Sequence, residues 1–150
     1  MESAVLYAPA EDVIDSSLDA RKYVRRLARR LDVVRRPYAA IEDGLPAQAE
    51  SVAVLAGLSA LELESGYMEM ELDTIFEPQE LLRRIRDAMP DQFPIVAVVD
   101  DAYSDYITAS YLRAGASAVV GTSGALFGVV TSRLASWDQI TPYFNAYRSV

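Results

Sequence analysis

Asp100 and Asp101 stand together at the end of the apolar run Ile95 to Val99, and Gly121-Thr122-Ser123-Gly124 follows the apolar run Ala118 to Val120. Carboxylates at a strand end can hold Mg²⁺, and a glycine-bearing turn ahead of a helix can offer amides to a phosphate. Neighbours on an extended segment point in opposite directions, so the aspartate pair needs ligands from elsewhere, with Glu11, Asp12 or the stretch 57–78 as sources. The plainer reading of the pair is a cap on the helix that follows. The GTSG turn lacks the Lys and the length of a P-loop. Asp100, Asp101, Thr122 and Ser123 therefore make one candidate ligand site, for a Mg²⁺-dependent phosphate-handling enzyme or a nucleotide binder. The chain contains no Cys and no His, which removes thiol catalysis, Ser-His-Asp and Cys-His constellations, disulfides and the usual zinc sites.

Around these residues the pattern is that of alternating strands and helices. Ile95 to Val99 is unbroken and apolar, as in a parallel strand buried on both faces. Ser104 or Asp105 can cap a helix with Ile107, Tyr111 and Leu112 inward, and Gly115 stops it before the next strand. Earlier, Ala4 to Tyr7 is a first strand, and a helix starting after Asp15, Ser16 or Ser17 buries Leu18, Val24, Leu27, Ala28 and Leu31. Val33-Val34 opens a second strand that Arg35-Arg36-Pro37 interrupts and that continues weakly through Tyr38-Ala39-Ala40, the proline placing it at an edge. Ile41 to Glu50 has room for a short helix at most, and Ser51 to Leu55 is a central third strand. Glu77 to Ala88 is a helix with Leu81, Leu82 and Ile85 inward. After the GTSG turn a last helix is expected, with Leu126, Phe127, Val130 and Leu134 inward, followed by a short aromatic segment, 136–150.

Charge is unevenly spread. Eight of the fourteen basic residues lie between Arg21 and Arg36 against Asp32 alone, a local charge of +7. The rest of the chain has six basic residues against twenty-one acids, −15, within a total of −8. Arg21, Arg25 and Arg29 recur every four residues, which fits either a solvated helix face or a docking stripe for an acidic partner. Acids and apolar residues alternate through Leu61-Glu62-Leu63-Glu64 and Met68-Glu69-Met70-Glu71-Leu72-Asp73, with Ser65-Gly66 as a turn. That is the pattern of a half-buried β-arm, either a lid on the sheet or an acidic arm for interaction or dimerisation.

The order Pro94-Ile95-Val96-Ala97-Val98-Val99, Asp101-Ala102, and Tyr111-Leu112-Arg113-Ala114-Gly115-Ala116 resembles the last third of a two-component response-regulator receiver domain. Glu80 to Arg86 and Ser51 to Ala56 extend the resemblance to about half of the chain. It implies a CheY-like, flavodoxin-like three-layer sandwich whose phosphorylation site has been lost. The receiver's acidic pair falls at Ala8-Pro9, its phosphoacceptor near Ala56, its Thr or Ser at Val99, its Lys at Thr122 and its aromatic switch at Val119. An acyl-phosphate needs a nucleophilic carboxylate, Mg²⁺ held by acids and a cation on the phosphoryl oxygens, and none of these is in place. The chain thus resembles a pseudo-receiver, with 24 residues between Ala56 and Leu81 where a receiver uses roughly a dozen fewer.

The expected architecture is a single α/β domain over 1–150. Its mostly parallel five-stranded sheet has the order 2-1-3-4-5, with an acidic β-like insertion, 57–78, after the third strand. The expected function is phosphorylation-independent protein interaction in signalling or transcription regulation, with no cofactor and with a protein partner or a second copy as ligand. The resemblance puts that contact around Tyr106, Tyr111, Arg113, Val119 and Thr122; the charge pattern adds Arg21, Arg25 and Arg29. An acidic total argues against nucleic acid as partner. The absence of a membrane-length apolar run and of a signal-peptide layout points to a cytoplasmic protein.

Overall fold

The computed structural model describes residues 3–8, 18–57, 78–99, 105–121, 128–132 and 136–148. The strands are β1 (Ser3–Ala8), β2 (Asp32–Pro37), β3 (Ser51–Gly57), β4 (Ile95–Val99), β5 (Ala118–Gly121) and β6 (Gly128–Ser132). The helices are α1 (Leu18–Arg30), α2 (Pro78–Ala88), α3 (Asp105–Ala114) and α4 (Trp137–Arg148), with a 3-10 turn at Tyr38–Asp43. The first five strands form a parallel sheet in the order β2-β1-β3-β4-β5, as expected, and β6 adds to β5 antiparallel.

The strands are apolar because both faces of the sheet are covered. Leu6, Ala8, Ala53, Leu55, Val96, Val98, Ala118 and Val120 face one buried cluster with Tyr23 and Leu27 of α1 and Ile140 and Tyr143 of α4. Their alternates Val5, Tyr7, Val52, Val54, Ile95, Ala97, Val99 and Val119 face a second cluster with Tyr38, Leu81, Leu82, Ile85 and Tyr111. Strand periodicity of two delivers this division without further instruction. Two hydroxyls tie the layers together: Tyr143 donates to Ser51 Oγ, and Tyr38 donates to the carbonyl of Leu55.

At the amino edge of the sheet Arg86, near the end of α2, gathers the segments around it. Its guanidinium donates to the carbonyls of Gly115 (2.9 Å) and Pro90 (2.9 Å) and to Ser117 Oγ (2.9 Å). Ser117 Oγ also accepts the amide of Ile95 at 3.2 Å, while the amide of Ser117 donates to the Ile95 carbonyl at 2.7 Å. Burial lowers the Arg86 pKa, an effect that Asp91 opposes, but guanidinium remains charged throughout the working range. Gly115 permits this approach in two ways. Its φ of +123° is open to glycine, and a Cβ there would meet Arg86 Cβ at 2.7 Å.

Three expectations need correction. The last helix around Leu126 to Leu134 does not form; residues 128–132 are β6 instead. The run Val129-Val130-Thr131 is β-branched, which favours a strand, and β5 offers it an open edge. Arg35-Arg36-Pro37 does not interrupt the second strand but belongs to it, at the edge of the sheet where side chains reach solvent, and Tyr38-Ala39-Ala40 turn into the 3-10 helix instead of continuing it. Ala28 is exposed, and the buried stripe of α1 is Tyr23, Leu27 and Leu31, with Val24 half-buried. The acidic insertion and the Asp100-Asp101 pair lie outside the described residues.

Gly115→Ala is expected to destabilise the fold by about 1–3 kcal/mol, from backbone strain at positive φ with an added clash against Arg86. Urea unfolding reads this as a lower midpoint with an unchanged slope. An unmoved midpoint would show that α2 can retreat from the turn without loss.

Candidate functional site

Ligands of open α/β sheets bind at the carboxyl ends of the strands, where neighbouring strands lead away in opposite directions. Here that point lies between β1 and β3, since the chain passes from β1 outward to β2 and from β3 to β4 on the other side. The strand ends that frame it are Ala8, Ala56-Gly57, Val99 and, further along, Gly121. Ala8 and Val99 are buried, and Ala56 sits in a bulge where the β3–β4 register slips between Leu55 and Gly57. Bulges near a sheet rim re-aim side chains, but alanine has none to aim at a ligand. The described ends of β1, β3, β4 and β5 thus present no carboxylate, hydroxyl or cation, while β2 ends in Arg36 and Pro37. Among the described residues no group of three or more Asp or Glu is placed to hold a metal ion.

The residues that follow these strand ends, including Asp100, Asp101, Thr122 and Ser123, lie outside the described ones. Tyr106 is in α3, with its side chain outside the description. Tyr111 and Val119 are packed in the cluster beneath α2 and α3, at 4% and 0% exposure, so their side chains serve the core and not a surface. Their apolar bulk and place in the strand–helix period account for this. Arg113, in the last turn of α3, is exposed.

Arg21, Arg25 and Arg29 are all exposed along α1, with Lys22 beside them, while the opposite side of the helix buries Tyr23 and Leu27. Among the described residues the ion pairs are those of Arg84 with Glu42 and Glu80, both at 3.2 Å and on the other side of the sheet. Exposed pairs of that kind are worth about 0–1 kcal/mol. Arg36, at the end of β2, lines a hollow of about 180 Å³ with Ala40, Asp43, Gly44, Leu45 and Pro46.

Two tyrosines that the sequence did not single out have their titration shifted by the fold. Tyr7 and Tyr23 are fully buried, and neither hydroxyl has a hydrogen-bond partner. Burial raises both pKa values above the usual 10.0. The charge of Arg36, paired across from Tyr7, partly offsets the effect there, and Tyr143 adds to it at Tyr23. A tyrosine in an otherwise apolar helical stripe was the available signal, since its hydroxyl must go somewhere once the ring is buried.

A folded pKa above the unfolded one means stability that is complete below pH 10 and is lost as pH rises through the folded values. Tyr23→Phe, which removes an unpaired buried hydroxyl, is expected to leave neutral-pH stability unchanged or raised and to move the alkaline unfolding midpoint upward. Tyrosinate absorbance and circular dichroism followed together check this. A clear loss at neutral pH would mean that the hydroxyl has a bond in solution.

Among the described residues no helix is long and apolar enough to cross a membrane. No protein-family model, no curated protein and no solved structure matches the chain. The five parallel strands in the order 2-1-3-4-5, with helices on both faces, are those of a flavodoxin-like α/β fold.

Proposed function

We propose that the chain is a phosphorylation-independent protein-interaction module of cytoplasmic signalling or gene regulation, working through a protein partner or a second copy. The observation that supports this reading is that, among the described residues, the tips of β1, β3 and β4 at the sheet's carboxyl edge carry no reactive side chain. Ala8, Ala56 and Val99 occupy the strand ends where a receiver's metal ligands, phosphoacceptor and hydroxyl would stand. These three residues supply no nucleophile, metal ligand or cation for phosphoryl transfer. Exposed cations are meanwhile concentrated on α1, where they are available to another protein.

An amide NMR titration with Mg²⁺, and then with Mg²⁺ plus beryllofluoride, tests the reading. No localised shift is expected at Ala8, Ala56, Val99 or Gly121 at millimolar Mg²⁺. Saturable shifts there would overturn it in favour of a phosphate-handling site built on Asp100, Asp101, Thr122 and Ser123. Sedimentation equilibrium on the same sample is expected to show self-association.

A further inference from the structure

We infer that the open edge of β2, flanked by the basic surface of α1, takes up an acidic, extended segment of a partner protein as an added strand. This rests on the interaction-module reading and names the surface and the chemistry of its partner. β2 ends the sheet and pairs with β1 alone. Whereas every residue of β4 is buried, every residue of β2 is half-buried or exposed, including Val33 and Val34. An edge of this kind presents unpaired backbone groups and apolar side chains that are only partly covered, which is what strand addition uses.

Charge selects the occupant. Arg35 shares with Val33 the face of β2 that α1 covers, Arg36 lies on the opposite face, and Arg25 and Arg29 are exposed on α1. None of these four forms an ion pair with a described residue. The Nη2 of Arg35 is buried with no hydrogen-bond partner, so a guanidinium donor is withheld from water with nothing to receive it. A carboxylate on an added strand supplies that acceptor, and charge-assisted bonds to Arg are the stronger kind. The same cations repel a basic strand, so the edge is open to one class of segment and closed to another. The fitting segment alternates acids with apolar residues, the acids on the face of Arg35 and α1 and the apolar residues on the opposite face, beside Val34.

The stretch 61–73, LELESGYMEMELD, has that composition, and a labelled synthetic peptide of this sequence is the probe. The full chain serves as host, carrying Glu62→Gln, Glu64→Gln, Glu69→Gln and Glu71→Gln so that its own copy does not compete. Fluorescence anisotropy is expected to show saturable binding that weakens about tenfold as salt screens the charges between low and high ionic strength. Adding Arg25→Glu, Arg29→Glu and Arg35→Glu is expected to reduce affinity about tenfold or more, on the scale of several surface ion pairs lost together. Of two peptides N-methylated on alternate residues, one is expected to lose binding and the other to keep it, because an edge pairs only every second amide.

No saturable binding, indifference to the charge reversals, or equal tolerance of both methylation patterns would each overturn the inference. A negative peptide result with self-association intact removes this surface and leaves the interaction reading standing. A positive beryllofluoride titration removes the reading itself.

Discussion

The constraint on which the rest depends is burial of the middle strands on both faces. A strand in that position can carry no charge, so β3 and β4 are built from Val, Ala, Leu and Ile, and helices must cover both sides. This fixes where polarity can go: to the outer faces of helices, to the edges of the sheet and to its two ends. The buried hydroxyls that remain are either paired, as in Tyr143 with Ser51, or left unpaired, as in Tyr7 and Tyr23. Buried ring area is large enough to tolerate the second case, at the cost of an unmet donor.

The two ends of the sheet are unlike. The amino end is crossed by Arg86, Ser117 and Ile95, whose bonds join α2 to the starts of β4 and β5. The carboxyl end, where related architectures do their chemistry, is framed by alanine, valine and glycine. Polar investment among the described residues has thus gone into holding the sandwich together at one end, while β1, β3, β4 and β5 end at the other in apolar tips. Exposed cations are densest along α1.

Much of the fold was legible because its signals are local. Ile95 to Val99, the helix from Asp105 and the Gly115 stop each follow from a few adjacent residues, and strand order follows from the receiver-like sequence of elements. What escaped reading depends on distant partners. Val130 reads with Leu126, Phe127 and Leu134 as the inward side of a helix until β5 is known to offer an edge. Arg35 and Arg36 look like an interruption until β2 is known to be terminal, because charge is excluded from a strand only when its surroundings are buried. Tyr111 and Val119 suggested a surface through resemblance, but the sheet face claims both side chains. Arg86 gave no signal, because an arginine in a helix full of arginines is distinguished only by what it meets in space.

The bonds between Ile95 and Ser117 also bear on how the native state opens. Each residue's amide donates to the other residue, across 22 positions of chain, and Arg86 closes the same junction from 31 positions away. None of these groups can be released singly, since freeing one uncovers the apolar starts of β4 and β5 together. The stretch from α2 through β5 therefore has the make-up of one cooperative unit, with its amides exchanging with solvent as a group, whereas β2 holds on by a single ladder and opens at a smaller free energy.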